Sequence, residues 1–184
     1  KPARRVSAPG AVTKVAKKVA KRKATAKSPA STVRGAVTAG SPSEGELAPH
    51  FQLLDQAEES LSSDELAGQP YVLYFYPKDD TPGCTTQACA FRDALPRFES
   101  IGVRVLGVSP DSSASHLRFR DKYSLPFSLL SDADKELSTA YGVWALKKNY
   151  GREYLGVVRR NFLVGADGVI RKVWRSEKVN GHVD

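Results

Sequence analysis

The stretch Tyr71-Val-Leu-Tyr-Phe-Tyr76-Pro77-Lys-Asp-Asp-Thr81-Pro82-Gly-Cys84-Thr-Thr-Gln-Ala-Cys89-Ala-Phe-Arg-Asp93 reads as three segments in succession. Tyr71 to Tyr76 is aromatic and β-branched, the composition of a buried strand. Pro, Asp and Gly between Pro77 and Gly83 form a turn, with φ fixed at Pro77 and Pro82. From about Thr85 to Ser100 apolar residues recur three or four apart, at Ala88, Phe91, Leu95 and Phe98, which predicts an amphipathic helix. Strand, tight turn and helix in this order place Cys84 in the first helical turn.

On either side of it, Phe51 to Leu54, Val103 to Val108 and Val157 to Val164 carry strand-like texture. Helices are expected at Ser113 to Tyr123 and Lys135 to Tyr141. Asp167-Gly168 between Phe162-Leu163-Val164 and Val169-Ile170 is a hairpin signal. The succession β, β, α, β, α, α, β, β predicts an α/β domain with a mixed central sheet and helices on both faces.

A sulfur in the first turn of a helix meets unpaired backbone N–H groups and the positive end of the helix dipole, which favour thiolate over thiol. Cys84 is therefore a candidate nucleophile, and Thr81, three residues earlier, can aim its hydroxyl at the same point. The competing reading is a buried cysteine that serves as a small hydrophobe. Cys89 lies five positions on. On one continuous helix that spacing gives about 7.5 Å of rise and about 140° of rotation, or roughly 8.7 Å between Cα atoms. Bridging requires less than about 7 Å. A disulfide between the two would therefore require the helix to unwind locally, and otherwise Cys89 is a spectator on the apolar face.

The 184 residues hold 28 Lys or Arg, 20 Asp or Glu, two Cys and three His, for a net charge of +8. Eleven of the basic residues and none of the acidic ones fall in residues 1–43, so 44–184 carry 17 basic and 20 acidic residues, or 11 − 3 = +8 in all. The basic character belongs to a tail. Its low-complexity run Lys14 to Lys27 lacks aromatic residues and is expected to be disordered in isolation. A solubilising tail, a nucleic-acid contact through released counterions, and an organelle-targeting segment are all readings of it. No apolar run approaches the roughly 18 residues that span a bilayer, so a transmembrane protein is not expected. Two Cys exclude a disulfide-rich scaffold, and a Cys/His zinc site is not expected from so few ligands. His116, beside Arg118 and Arg120, reads as part of a solvated helix face. The absence of Met and the ending at Gly181-His-Val-Asp184 suggest a chain truncated at both ends.

Pro77-x-x-x-Thr81-x-x-Cys84 resembles the peroxidatic motif of the peroxiredoxins, and Thr81-Pro-Gly-Cys84-Thr-Thr-Gln-Ala-Cys89-Ala-Phe-Arg-Asp93 is similar to the signature of the bacterioferritin comigratory protein or PrxQ subfamily. The resemblance extends from about Gly45 to the end, through Ala48-Pro49-His-Phe51, Leu125 to Asp132, Tyr141-Gly-Val-Trp144 and Arg159 to Gly168. It implies a thioredoxin-like fold without metal or other cofactor, and reduction of hydrogen peroxide and organic hydroperoxides. It also implies a peroxidatic Cys84, a resolving Cys89 that closes an intramolecular disulfide, and recycling by thioredoxin or a similar dithiol. Thr81 and Pro77 match positions that shape the peroxide pocket, and Arg159 matches the catalytic arginine; strand alternation sends Arg160 to the opposite face. Gln87 and Asn161 depart from the commoner Glu and Thr or Ser. The expected protein is a monomer of the cytoplasm, without membrane contact. The alternative is a nuclear or nucleoid-associated protein whose tail binds nucleic acid while its core senses redox state.

Overall fold

The computed structural model describes residues 40–149 and 151–175. The expectations for residues 1–39 and for the ending at 181–184 lie outside them.

Among the described residues, nine strands and three helices follow one another as β1 (Gln52–Leu54), β2 (Ser60–Ser62), β3 (Tyr71–Phe75), α1 (Pro82–Ser100), β4 (Arg104–Ser109), α2 (Ser113–Tyr123), β5 (Ser128–Ser131), α3 (Glu136–Ala140), β6 (Trp144–Asn149), β7 (Arg152–Val157), β8 (Arg160–Val164) and β9 (Ile170–Arg175). Seven strands form one sheet in the order β2-β1-β5-β4-β3-β8-β9, while β6 and β7 pair separately. β3, β4 and β5 are parallel, β1 and β8 join them antiparallel, and β9 pairs antiparallel with β8. This is the mixed α/β sheet expected from sequence.

The parallel run β3-α1-β4-α2-β5 advances in one direction, and right-handed crossovers then put α1 and α2 on the same face. Strand alternation sorts the core accordingly. Val72, Tyr74 and Tyr76 pack with Cys84, Ala88, Phe91, Leu95 and Phe119 of the two helices. Tyr71, Leu73 and Phe75 face the other way, against Leu137 beside Tyr141, Phe162 and Ile170. Each large side chain so enclosed stabilises the fold by about 1.5–3 kcal/mol. Tyr74 needs particular room: its ring stacks on Phe91 at 4.6 Å and on Tyr76 at 5.4 Å. A Cβ on Gly107 of the neighbouring strand would stand 2.6 Å from the Tyr74 hydroxyl.

The Val157 to Val164 segment is not one strand. It breaks at Val158 and Arg159, so that β7 belongs to the separate hairpin and β8 to the main sheet. The Asp167-Gly168 hairpin joins β8 to β9 as expected, with Gly168 at φ +77°. His116 corrects the solvated-face reading: it is fully buried. Ser113, His116 and Phe119 recur every three residues and form the sheet-facing stripe of α2. Arg118 is exposed beside them.

Candidate active site

The site lies where β3 ends. Thr81 is the N-cap of α1, with φ −99° and ψ 150°, and Pro82 takes the first helical position, where its missing N–H costs nothing. Cys84 is then the third helical residue, within the turn whose N–H groups have no helical acceptor. Its side chain is 1 % exposed. The Thr81 hydroxyl donates to the Lys78 carbonyl at 3.1 Å and makes no cap bond, so it braces the turn. Pro77 is half-buried at the start of the same turn.

Arg159 reaches this point because β8 runs antiparallel beside β3. Phe75 is opposite Arg160 and Tyr74 opposite Asn161, so the beginning of β8 lies at the carboxyl end of β3. The Arg159 guanidinium donates from Nη2 to Cys84 Sγ at 3.1 Å and from Nη1 to Gln87 Oε1 at 2.7 Å. Gln87, fully buried one turn after Cys84, donates from Nε2 to Asn161 Oδ1 at 3.2 Å. Arg159, just before β8, and Asn161 within it both reach Gln87, whose amide ties them to the helix. Arg160 points the other way, to the Gly142 carbonyl at 3.5 Å. Burial there pulls its guanidinium below its ordinary value, and Arg175 adds to the effect.

Cys89 lies half-buried on α1, and both thiols are free. Thus Cys84 and Arg159 are in direct contact, Thr81 and Pro77 form the turn beside them, and Cys89 stands further along an intact helix. The site also recruits Gln87 and Asn161, which the sequence marks only as departures from a pattern. Tyr74 lies behind the sulfurs, its hydroxyl buried without a hydrogen-bond partner and held well above the usual phenol range by burial first, then by Asp79 and the two cysteines. Among the described residues no cluster of His, Cys, Asp or Glu could hold a metal ion.

A nearly buried sulfur at a helix start, held by a guanidinium, is an arrangement for nucleophilic attack with stabilisation of developing negative charge. Residues 45–173 match the AhpC/TSA family model. The chain belongs to the AhpC/TSA family. Within it, this peroxiredoxin is 50 % identical over 139 residues to a putative peroxiredoxin bcp of Coxiella burnetii, which covers 76 % of this chain and 92 % of that one. It is 46 % identical over 139 residues to the peroxiredoxin Bcp of Bacillus subtilis, with 76 % and 88 % covered. A solved bacterioferritin comigratory protein of Xanthomonas campestris, described for its alkyl peroxide reduction activity, superposes with a TM-score of 0.68 at 40 % identity, covering 72 % of this chain and 84 % of its own. The fold is thioredoxin-like and the peroxiredoxin is a thiol peroxidase. No helix among its described residues is long and apolar enough to cross a membrane.

Proposed function

We propose that this peroxiredoxin reduces hydrogen peroxide and alkyl hydroperoxides through Cys84 and resolves the product through Cys89. The observation that carries this reading is the 3.1 Å contact between Arg159 Nη2 and Cys84 Sγ at the start of α1. A permanently cationic donor there stabilises negative charge on sulfur before attack and on the departing oxygen during it. The thiolate attacks the terminal peroxide oxygen, the O–O bond breaks, and the leaving oxygen takes a proton to become water or an alcohol. Cys84 is left as a sulfenic acid. Thr81 and Pro77 shape the turn against which the peroxide is aligned.

The first turns of α1 then unwind, because Cys84 and Cys89 on an intact helix stand about 8.7 Å apart at Cα, beyond the reach of a disulfide. The Cys89 thiol attacks the sulfenic sulfur, water departs, and an intramolecular disulfide remains. Gly83 in the first turn eases the opening, since glycine stabilises a helix weakly. A dithiol of the thioredoxin type, in a reducing compartment such as the cytoplasm, restores both thiols by exchange. Both cysteines come from one chain, which is compatible with a monomer.

The test is consumption of hydrogen peroxide by the full chain with thioredoxin, thioredoxin reductase and a nicotinamide reductant. Turnover should vanish in Cys84→Ser. In Cys89→Ser a single oxidation of Cys84 should survive while recycling by thioredoxin slows sharply. Undiminished turnover in Cys84→Ser would refute the assignment.

A further inference from the structure

Behind the turn that carries Thr81 stands a buried polar cluster to which the reaction above gives no task. Asp79, 7 % exposed, accepts hydrogen bonds from the Tyr76 hydroxyl at 2.7 Å and the Ser115 hydroxyl at 2.7 Å. Its Oδ2 lies 2.9 Å from Nδ1 of the fully buried His116. The Asp79 backbone N–H donates to Asp111 Oδ2 at 2.8 Å, an oxygen that also accepts from Ser109 Oγ at 2.8 Å. The second ring nitrogen of His116, Nε2, lies 3.2 Å from the Leu130 carbonyl oxygen.

A carbonyl only accepts, so Nε2 carries a proton. The Asp79 carboxylate takes two hydroxyl donors and faces Nδ1, so both ring nitrogens of His116 meet oxygen partners. Truncating either residue alone to an apolar side chain leaves a buried polar group unpaired, at a cost that surface pairs do not carry. The side chain and backbone of Asp79 are thereby tied to α2, to the end of β4 and, through His116, to β5. Asp79 is two residues before Thr81 and five before Cys84, on the fixed side of the helix start.

We propose that the Asp79–His116 pair is the positioning element of the peroxide-binding turn, holding Pro77–Thr81 against α2 and β5 so that Thr81 and the start of α1 keep their place opposite Arg159. This rests on the reading of Cys84 as the residue that reacts with peroxide. The pair acts through the turn and touches neither sulfur nor substrate.

The experiment measures the reaction of Cys84 with hydrogen peroxide and with iodoacetamide in the full chain carrying Cys89→Ser, which isolates the first oxidation. Iodoacetamide requires only an accessible nucleophilic sulfur; peroxide also requires aligned neighbours. The ratio of the two rate constants therefore reads positioning and is blind to general loosening. Asp79→Ala should lower the ratio by about tenfold, in the range expected for a displaced catalytic geometry. Asp79→Asn keeps an acceptor for Tyr76 and offers an N–H to the unprotonated Nδ1 of a neutral ring, so the ratio should stay within about threefold of the parent. Ser115→Ala, at a half-buried helical position where alanine is favoured, removes one donor to Asp79 and should lower the ratio about threefold even if Asp79→Ala does not fold. A ratio unchanged in Ser115→Ala, or equal in Asp79→Ala and Asp79→Asn, would overturn the proposal. A parent that reacts with iodoacetamide but not with peroxide would overturn the peroxidase reading itself, and the positioning role with it.

Discussion

The guanidinium of Arg159 donates to the sulfur of Cys84 from 75 positions further along the chain, at 3.1 Å. The contact is created by the antiparallel register of β3 and β8, and it joins the start of a helix to the start of a strand. Arg159→Lys retains the charge but cannot donate in two fixed directions, to Cys84 and to Gln87. Stopped-flow oxidation of Cys84 by hydrogen peroxide should slow by about a hundredfold, the scale of losing one preorganised donor to a developing charge. A loss below twofold would remove Arg159 from the mechanism.

Gln87 is the fully buried link between Arg159 and Asn161. Gln87→Leu strips Arg159 Nη1 of its acceptor inside the protein. Denaturant unfolding should show a loss of about 1–3 kcal/mol. Peroxide oxidation of Cys84 should slow as the guanidinium drifts, and both effects belong to the same variant.

The Tyr74 hydroxyl is buried without a hydrogen-bond partner, which makes it a desolvation cost. Tyr74→Phe keeps the stacking on Phe91 and should leave stability unchanged or raise it by about 1 kcal/mol. Gly107→Ala drives a methyl to 2.6 Å from that hydroxyl and 2.7 Å from Leu129 Cδ2. It should cost about 1–3 kcal/mol by overpacking. Thermal unfolding of both variants checks the opposite signs.

Asp132 is fully buried and holds its proton more tightly than an ordinary carboxylate, because burial outweighs the hydrogen bonds it accepts from Ser138 and Leu137. A carboxyl raised on folding favours the native state at acid pH, and that advantage is lost as pH rises through the folded value. Asp132→Asn retains an acceptor and cannot ionise. Its stability relative to the parent should therefore increase from mildly acid to neutral pH, as read by urea unfolding at each pH; a difference that shrinks over that range would contradict the assignment.

The strand, turn and helix around Cys84 are legible from sequence because each carries its own local signal: aromatic and β-branched side chains in β3, prolines and glycine in the turn, apolar spacing in α1. The Asp167-Gly168 hairpin is legible for the same reason. What sequence hides is nonlocal. β5, Ser128–Ser131, is four residues long and owes its state to parallel pairing with β4. β2 has only one buried residue, Leu61, and β7, exposed over its first four residues, pairs among the described residues with β6 alone. Arg159 is assigned through a resemblance, whereas its contact with Gln87 depends on strand register. His116 is hidden by its neighbours: Arg118 and Arg120 suggest a wet face, while the three-residue spacing of Ser113, His116 and Phe119 turns the ring inward. Reading that spacing ahead of the flanking charge would have placed it correctly.

The most direct test of the central claim is the mass and free-thiol count of the reduced full chain after one equivalent of hydrogen peroxide. The account predicts loss of both thiols with the mass falling by two hydrogens, a peptide map linking Cys84 to Cys89 within one chain, and one added oxygen on Cys84 in Cys89→Ser. Two thiols still titratable with the peroxide unspent would contradict it.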